Sequence, residues 1–350
     1  MHVSRRQFLG QAAKAGAGIA IVGIWGCERT EWTAPVAVKR PLFLTPDSEA
    51  FVLSHGEQAP IDESQWRLDI YANQGLRHRF TIRQLRDLQA EKGIDALASV
   101  VCVFDSPEQD MAYNGFFRGL ALADVIGEVS PHVKRIHIHG ADGFHSSLPV
   151  SVLQESAHRV TPMLATAFQG VSLSHERGFP IRLIAPGFYA YKHIKYVTAI
   201  TLSDEPEATG DFESMFRSDP DRPMSSFSKI QEPFDTAIVQ AGRLTIIGYA
   251  LPSDSPITRV DVQVDQGPWQ TAHLVSQEQL LAEVELLGTA RQHAWPYPYH
   301  GVWAPWVFQW QASAGAHSIS VRTHTADAKN MAETSYLGTP GQTIHVQVMD

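Results

Sequence analysis

A chain of 350 residues that is 44% hydrophobic can bury two cores and is too apolar to be intrinsically disordered. Its formal charge of −9 falls to −12 without residues 1–26, which hold Arg5, Arg6 and Lys14 and no acid. Such acidity argues against nucleic acid and suits a basic partner such as a small cytochrome.

The first element is an export signal. Ser4-Arg5-Arg6-Gln7-Phe8-Leu9-Gly10 precedes a weakly apolar stretch from Ala15 to Gly26, the arrangement of a twin-arginine signal, which predicts a periplasmic protein. About a dozen Ala- and Gly-rich residues fall short of the ~20 that a spanning helix needs. Ile24-Trp25-Gly26-Cys27 is similar to a lipoprotein cleavage box, so two readings stand. Either Cys27 is lipidated and tethers the protein to a membrane face, or cleavage nearby is of the ordinary kind. The signal occupies residues 1–27, and a Pro- and Thr-rich linker runs over 28–45.

Residues 46–234 mix helix and strand signals. Thr81-Ile82-Arg83-Gln84 is a capping box, followed by Leu85 and Leu88 on one helical face and a stop at Gly93. Val100-Val101-Cys102-Val103-Phe104 reads as a strand broken by Asp105-Ser106-Pro107, and Arg135–His139 and Ile181–Ala185 read as further strands. A Pro-rich connector covers about 205–234. Residues 235–350 are all-β: Arg259–Asp265, the positions Ile319, Val321 and Thr323, and Ile344, Val346 and Val348 alternate with period two, as in a β-sandwich. Between these strands an aromatic cluster, with Trp295, Tyr297, Tyr299, Trp303, Trp306 and Trp310, reads as core or subunit contact. The expected fold class is α+β, with a mixed α/β domain followed by an immunoglobulin-like sandwich.

Apart from Cys27 the sole cysteine is Cys102, so no disulfide forms within the mature chain. An exported lone thiol is explained by metal ligation, catalysis or simple burial. His137, His139 and His145 lack matching cysteine or carboxylate pairs at ligand spacing and read as structural. Arg182, Lys192 and Lys195 flank the Pro186-Gly187 turn. Cations so placed suit a phosphate, whose oxygens accept several charge-assisted bonds, and are equally compatible with ordinary surface charge.

Taken in order, Trp66-Arg67-Leu68, the Cys102 strand, Gly140-Ala141-Asp142-Gly143 with Leu148-Pro149, Gly178 to Gly187, and Lys192-His193-Ile194-Lys195-Tyr196 resemble the molybdopterin-binding domain of the sulfite oxidase family. Gly248-Tyr249-Ala250, the Arg259 strand, Gly267, Trp269 and Trp306 resemble its immunoglobulin-like dimerisation domain. The resemblance implies a mononuclear molybdenum held by a single pterin and the thiolate of Cys102, which also explains the lone cysteine. It implies pterin or phosphate contacts at Phe51, Ser54, His55, Asp142, Arg177, Arg182, Lys192, His193, Ile194 and Lys195. It further implies a small oxyanion or oxo substrate, oxygen-atom transfer, electrons exchanged with a separate carrier, and a homodimer.

Departures from the family pattern are few. Arg177 stands where the family commonly has histidine, and Lys192 where it has arginine; both keep a donor. After Cys102, where sulfite oxidases place arginine, this chain has Asp105 and Glu108, whose charges repel a dianion. Reduction of a sulfoxide or N-oxide therefore stands beside sulfite oxidation, and a catalytically inactive binding protein of the same fold is the remaining alternative.

Overall fold

A computed structural model describes residues 43–55, 61–72, 75–104, 111–154, 161–216, 219–221, 223–252, 256–285, 297–298, 301–326 and 341–350. The expected signal at 1–27, most of the linker, the carboxylates Asp105 and Glu108, and the aromatic residues Trp295 and Tyr299 lie outside the described residues.

The first half is built on two sheets. One contains β1 (Arg67–Ala72), β2 (Gly75–Thr81), β5 (Arg135–Gly140), β6 (His145–Pro149) and β10 (Val197–Ser203) in the order β2-β1-β10-β5-β6. Its only parallel pair is β1 with β10, and every other pairing in it is antiparallel. The second contains β3 (Ile94–Val101), β4 (Ala112–Ala121), β7 (Met163–Phe168) and β8 (Val171–Ser172), with β9 (Arg182–Ile184) also on β7. Helix α1 (Ile82–Lys92) carries the expected capping box. The Gln84 amide donates to the Thr81 hydroxyl at 3.3 Å and the Thr81 amide donates to Gln84 Oε1 at 2.8 Å, with Gly93 at the C-terminal end. Leu85 of α1 joins Leu68, Ile136 and Ile200 in the core over the first sheet.

The second half is two facing sheets. One has β11 (Phe227–Glu232), β13 (Gly242–Leu251), β16 (His273–Leu274) and β17 (Ala304–Ala312); the other has β12 (Ala237–Gln240), β14 (Ile257–Val264), β15 (Gln270–Thr271), β18 (Gly315–Thr325) and β19 (Gly341–Met349). Ile246 and Trp306 of the first meet Val260, Val262, Val321 and Val346 of the second in one core. In β19 Ile344, Val346 and Val348 are buried while His345 and Gln347 are exposed, the alternation read from sequence.

The mixed α/β class expected for residues 46–234 is overturned. Among the described residues only three α-helices occur, α1, α2 (Leu122–Ile126) and α3 (Gln277–Glu285), against nineteen strands. The cause lies in strands buried on both faces. Nearly all of β4 is buried, so its sequence shows neither period two nor period 3.6, and helix and strand cannot be told apart. The long crossover that parallel β1 and β10 require is largely supplied by the second sheet in place of a helical layer. None of the described helices is long and apolar enough to cross a membrane.

Candidate functional site

Cys102 lies one residue beyond the end of β3, where its amide donates to the Met111 carbonyl at 2.9 Å. The expected strand therefore stops at Val101, before the cysteine. Cys102 is buried, 7% exposed as a residue. Val101 and Val103 join one apolar cluster and Val100 another, so Cys102 sits at the seam between the two.

A cationic cluster stands across that seam. Tyr113 of β4 pairs with Val100, and its hydroxyl is 3.5 Å from Arg182 Nη1. Arg182 is buried and also donates to the Arg177 carbonyl at 3.2 Å, while its Nε has no partner. Lys195 donates to the Ser54 hydroxyl at 2.8 Å and to the Glu176 carbonyl at 3.2 Å. No described carboxylate forms an ion pair with either cation. Burial, and then the charge of Arg182, push the Lys195 ammonium down to about 8. The two side chains converge at Gly178, whose φ is +102°; a Cβ there would stand 3.1 Å from that of Arg182 and 3.0 Å from that of Lys195.

The other expected site residues separate into those near this cluster and those engaged elsewhere. Asp142 accepts from the Phe144 amide at 3.2 Å, and its turn rests on the Lys195 and Tyr196 carbonyls, leaving no room for a Cβ at Gly140. Ser54 and His55 are exposed, His55 with its ring 5.3 Å from Phe144. His193 is fully buried and donates through Nε2 to the Phe188 carbonyl at 3.1 Å. Burial, and then Arg182, push it down to about 3, so it is neutral. The Ile194 carbonyl accepts from the Leu183 amide at 2.7 Å, tying the two basic segments together.

Lys192 leaves the cluster altogether. Its ammonium donates to the Ser147 carbonyl at 2.7 Å and to Glu213 at 2.8 Å, with Asp221 at 3.7 Å, and both members of the Lys192–Glu213 pair are about 1% exposed. Glu213 also accepts from the Ser146 hydroxyl and the Ser147 amide, and Arg135 forks onto Asp221. This buried network docks the connector onto β5 and β6. The nearby open cleft of about 590 Å³, along His145, Thr209, Glu213 and Pro220, is lined by the carboxylates Glu207 and Glu213 and by no described lysine or arginine.

Arg177 is a clamp. Its guanidinium donates to Asp47 Oδ1 at 2.8 Å and to the carbonyls of Asp47, Ala50 and Phe51 at 2.5, 2.9 and 3.2 Å, lying over the rings of Phe168 and Tyr113. It fixes the segment that delivers Phe51, Ser54 and His55, and Phe51 packs edge-on against Tyr113. The beginning of that segment is pinned at Phe43, whose carbonyl accepts from Asn114 and from the Trp303 indole, both at 2.9 Å. Arg177→Met leaves these acceptors without a donor and is expected to cost ~2–4 kcal/mol and to speed amide exchange over 47–52, measured by denaturant titration and hydrogen exchange. A variant of wild-type stability would remove the clamp.

Sequence reasoning missed Tyr113, Phe144, Phe212 and Glu213. Phe144 adjoins the Gly-Ala-Asp-Gly turn and was within reach; the other three are joined to the site only by long-range pairing. The three histidines are satisfied separately: His139 stacks on His145 at 5.4 Å, His145 pairs with Asp211, and His137 meets Thr209.

Residues 55–210 match the family model described as oxidoreductase molybdopterin binding domain. The chain is 29% identical over 153 residues to "Sulfite oxidase, mitochondrial" of Mus musculus, which covers 39% of this chain and 28% of that protein. It is 28% identical over 188 residues to its counterpart in Homo sapiens, covering 46% and 34%. The chain thus spans about a third of the length of these relatives. Among solved structures, the sulfane dehydrogenase SoxCD from Paracoccus pantotrophus superposes with a TM-score of 0.68 at 19% identity, covering 91% of this chain and 87% of that one, which is a likeness of fold.

Proposed function

We propose, from the premise that this chain belongs to the sulfite oxidase family of molybdopterin oxidoreductases, that Ser54, Asp142, Arg182 and Lys195 hold the pterin and its phosphate and that Cys102 ligates the molybdenum. One observation carries the reading: two cations that form no ion pair with a described carboxylate converge on Gly178, one tyrosine away from the strand that ends just before the sole cysteine of the described chain. The unpartnered Nε of buried Arg182 fits an anionic group. A molybdopterin, when bound, supplies two-electron oxygen-atom chemistry.

The protein's own residues do the rest. Arg182 and Lys195 neutralise phosphate where low dielectric strengthens the attraction. His193, held neutral, adds no further positive charge beside Arg182. Arg177, through the 47–51 segment, holds Ser54 and His55 at the mouth. Burial of Cys102 shields the thiol from oxidation until it is engaged.

The proposal extends to a single pterin, a small oxyanion or oxo substrate, a separate electron carrier such as a cytochrome, homodimers through residues 235–350, and export to the periplasm with or without lipid at Cys27. Elemental and pterin analysis of protein made in a molybdenum-competent host tests the core of it. Stoichiometric molybdenum and pterin are expected; their absence points to the inactive binding protein.

Lys195 gives a pH dependence. Its ammonium is charged below about 8, so affinity of the cofactor-free protein for inorganic phosphate is held at low pH and lost as pH rises through that value. Isothermal titration between pH 6.5 and 9.5 measures this, and Lys195→Met should flatten the profile. A profile identical in the variant would exclude Lys195 from the phosphate site.

A further inference from the structure

Aromatic side chains from four separate segments form a row beside Cys102. His55 lies 5.3 Å from Phe144, Phe144 lies 5.8 Å from Phe212, and Phe212 lies 6.4 Å from Phe104, ring centre to ring centre. Phe104 follows Cys102 by two residues, and Phe144 and Phe212 pack against the same cluster that holds Val101 and Val103, on either side of the cysteine. Both of its ends turn apolar surface outward: Phe104 is 42% exposed, and Leu53, two residues before His55, is 56% exposed.

None of the described lysines or arginines stacks on Phe104, Phe144 or Phe212; Arg177, Lys192, Lys195 and Arg322 stack on other rings. Lys192, which contacts the neighbouring Tyr191, is neutralised by Glu213. In sequence, residues 103–110 contain three carboxylates and no lysine or arginine.

We infer that this row is the specificity wall of the site, selecting a neutral S-oxide or N-oxide whose reacting atom carries an aryl group over a small inorganic oxyanion. The inference rests on the molybdopterin reading above. In the reductive direction the S–O or N–O bond breaks and the oxygen leaves as water. The substrate gains two electrons, delivered singly by a one-electron carrier, and the oxygen takes two protons from solvent. An aryl group packed edge-on against such rings gains about tenfold in binding, which a small anion cannot match here.

The test uses holoprotein first assayed for molybdenum. Methyl phenyl sulfoxide and N,N-dimethylaniline N-oxide are supplied with reduced benzyl viologen, and sulfite with ferricyanide. At least one aryl substrate is expected to exceed sulfite in kcat/KM by about tenfold. Phe212→Ala should raise the aryl KM by a similar factor while kcat changes little, and exposed Phe104→Ala gives the same reading should the first variant fail to fold. Molybdenum-replete protein that prefers sulfite, or variants that melt earlier without any change in the aryl KM, would overturn the wall and leave the cofactor assignment standing. Protein without molybdenum overturns the cofactor assignment, and the wall with it.

Discussion

Cys102→Ser is expected to lower turnover by more than ~100-fold, beyond the usual cost of losing an outer partner of a metal ligand. Serine keeps the size of the side chain, but its hydroxyl stays protonated near neutral pH and is a hard oxygen donor, whereas the proposed ligation of molybdenum calls for a soft thiolate. The effect on folding is small by comparison. Cys102 is nearly buried at the seam of two clusters, so a hydroxyl there costs ~1–3 kcal/mol. Phosphate affinity should persist, because Arg182 and Lys195 are untouched. Steady-state kinetics, a melting curve and phosphate titration on the same preparation separate these effects, and a variant that turns over at the wild-type rate would rule out ligation by Cys102.

The largest effect on stability is expected at Lys192. Truncation to methionine leaves the Glu213 carboxylate buried without its cation, an arrangement that costs ~3–5 kcal/mol. Lys192→Met with Glu213→Leu removes both charges and should recover most of that loss, since two buried charges forfeit nearly as much hydration as their attraction returns. Denaturant titration of the two single variants and the double variant closes the cycle. Additive losses would mean that the pair is not coupled. The same network carries the connector that delivers Phe212, so the single variants should also raise the aryl KM. Lys192 thereby acts on the site at a distance, by holding the connector in place.

That role differs from the phosphate contact expected for Lys192, and the reason is physical. In the run Lys192-His193-Ile194-Lys195 the backbone makes a short 3-10 turn over Ala190–Lys192 before β10, which sends Lys192 towards Ser147 and Glu213 and Lys195 towards Ser54. Both residues are lysines beside the same turn, and nothing local distinguishes them. Arg177 is a similar case. Its position before Gly178 suggested a cofactor contact, but its four acceptors belong to residues 47–51, some 126 to 130 positions away.

What the sequence alone determined is what short-range physics encodes. The capping box at Thr81 joins residues three apart, and the alternation of Ile344, Val346 and Val348 follows the pleat, whereas the strand expected to run on to Phe104 ends at Val101. The ordered cofactor segments, read together, also carried the resemblance to a molybdopterin-binding domain, which the family model matches over residues 55–210. Only the tertiary structure decided that the first half is sheet against sheet in place of helix against sheet, because strands buried on both faces lose their period. It alone decided which described cations form no ion pair with a described carboxylate, and that Phe104 and Phe144 both meet Phe212. Those outcomes depend on pairings such as Val100 with Tyr113 and on side chains from distant segments sharing one low-dielectric space, and a linear sequence records neither.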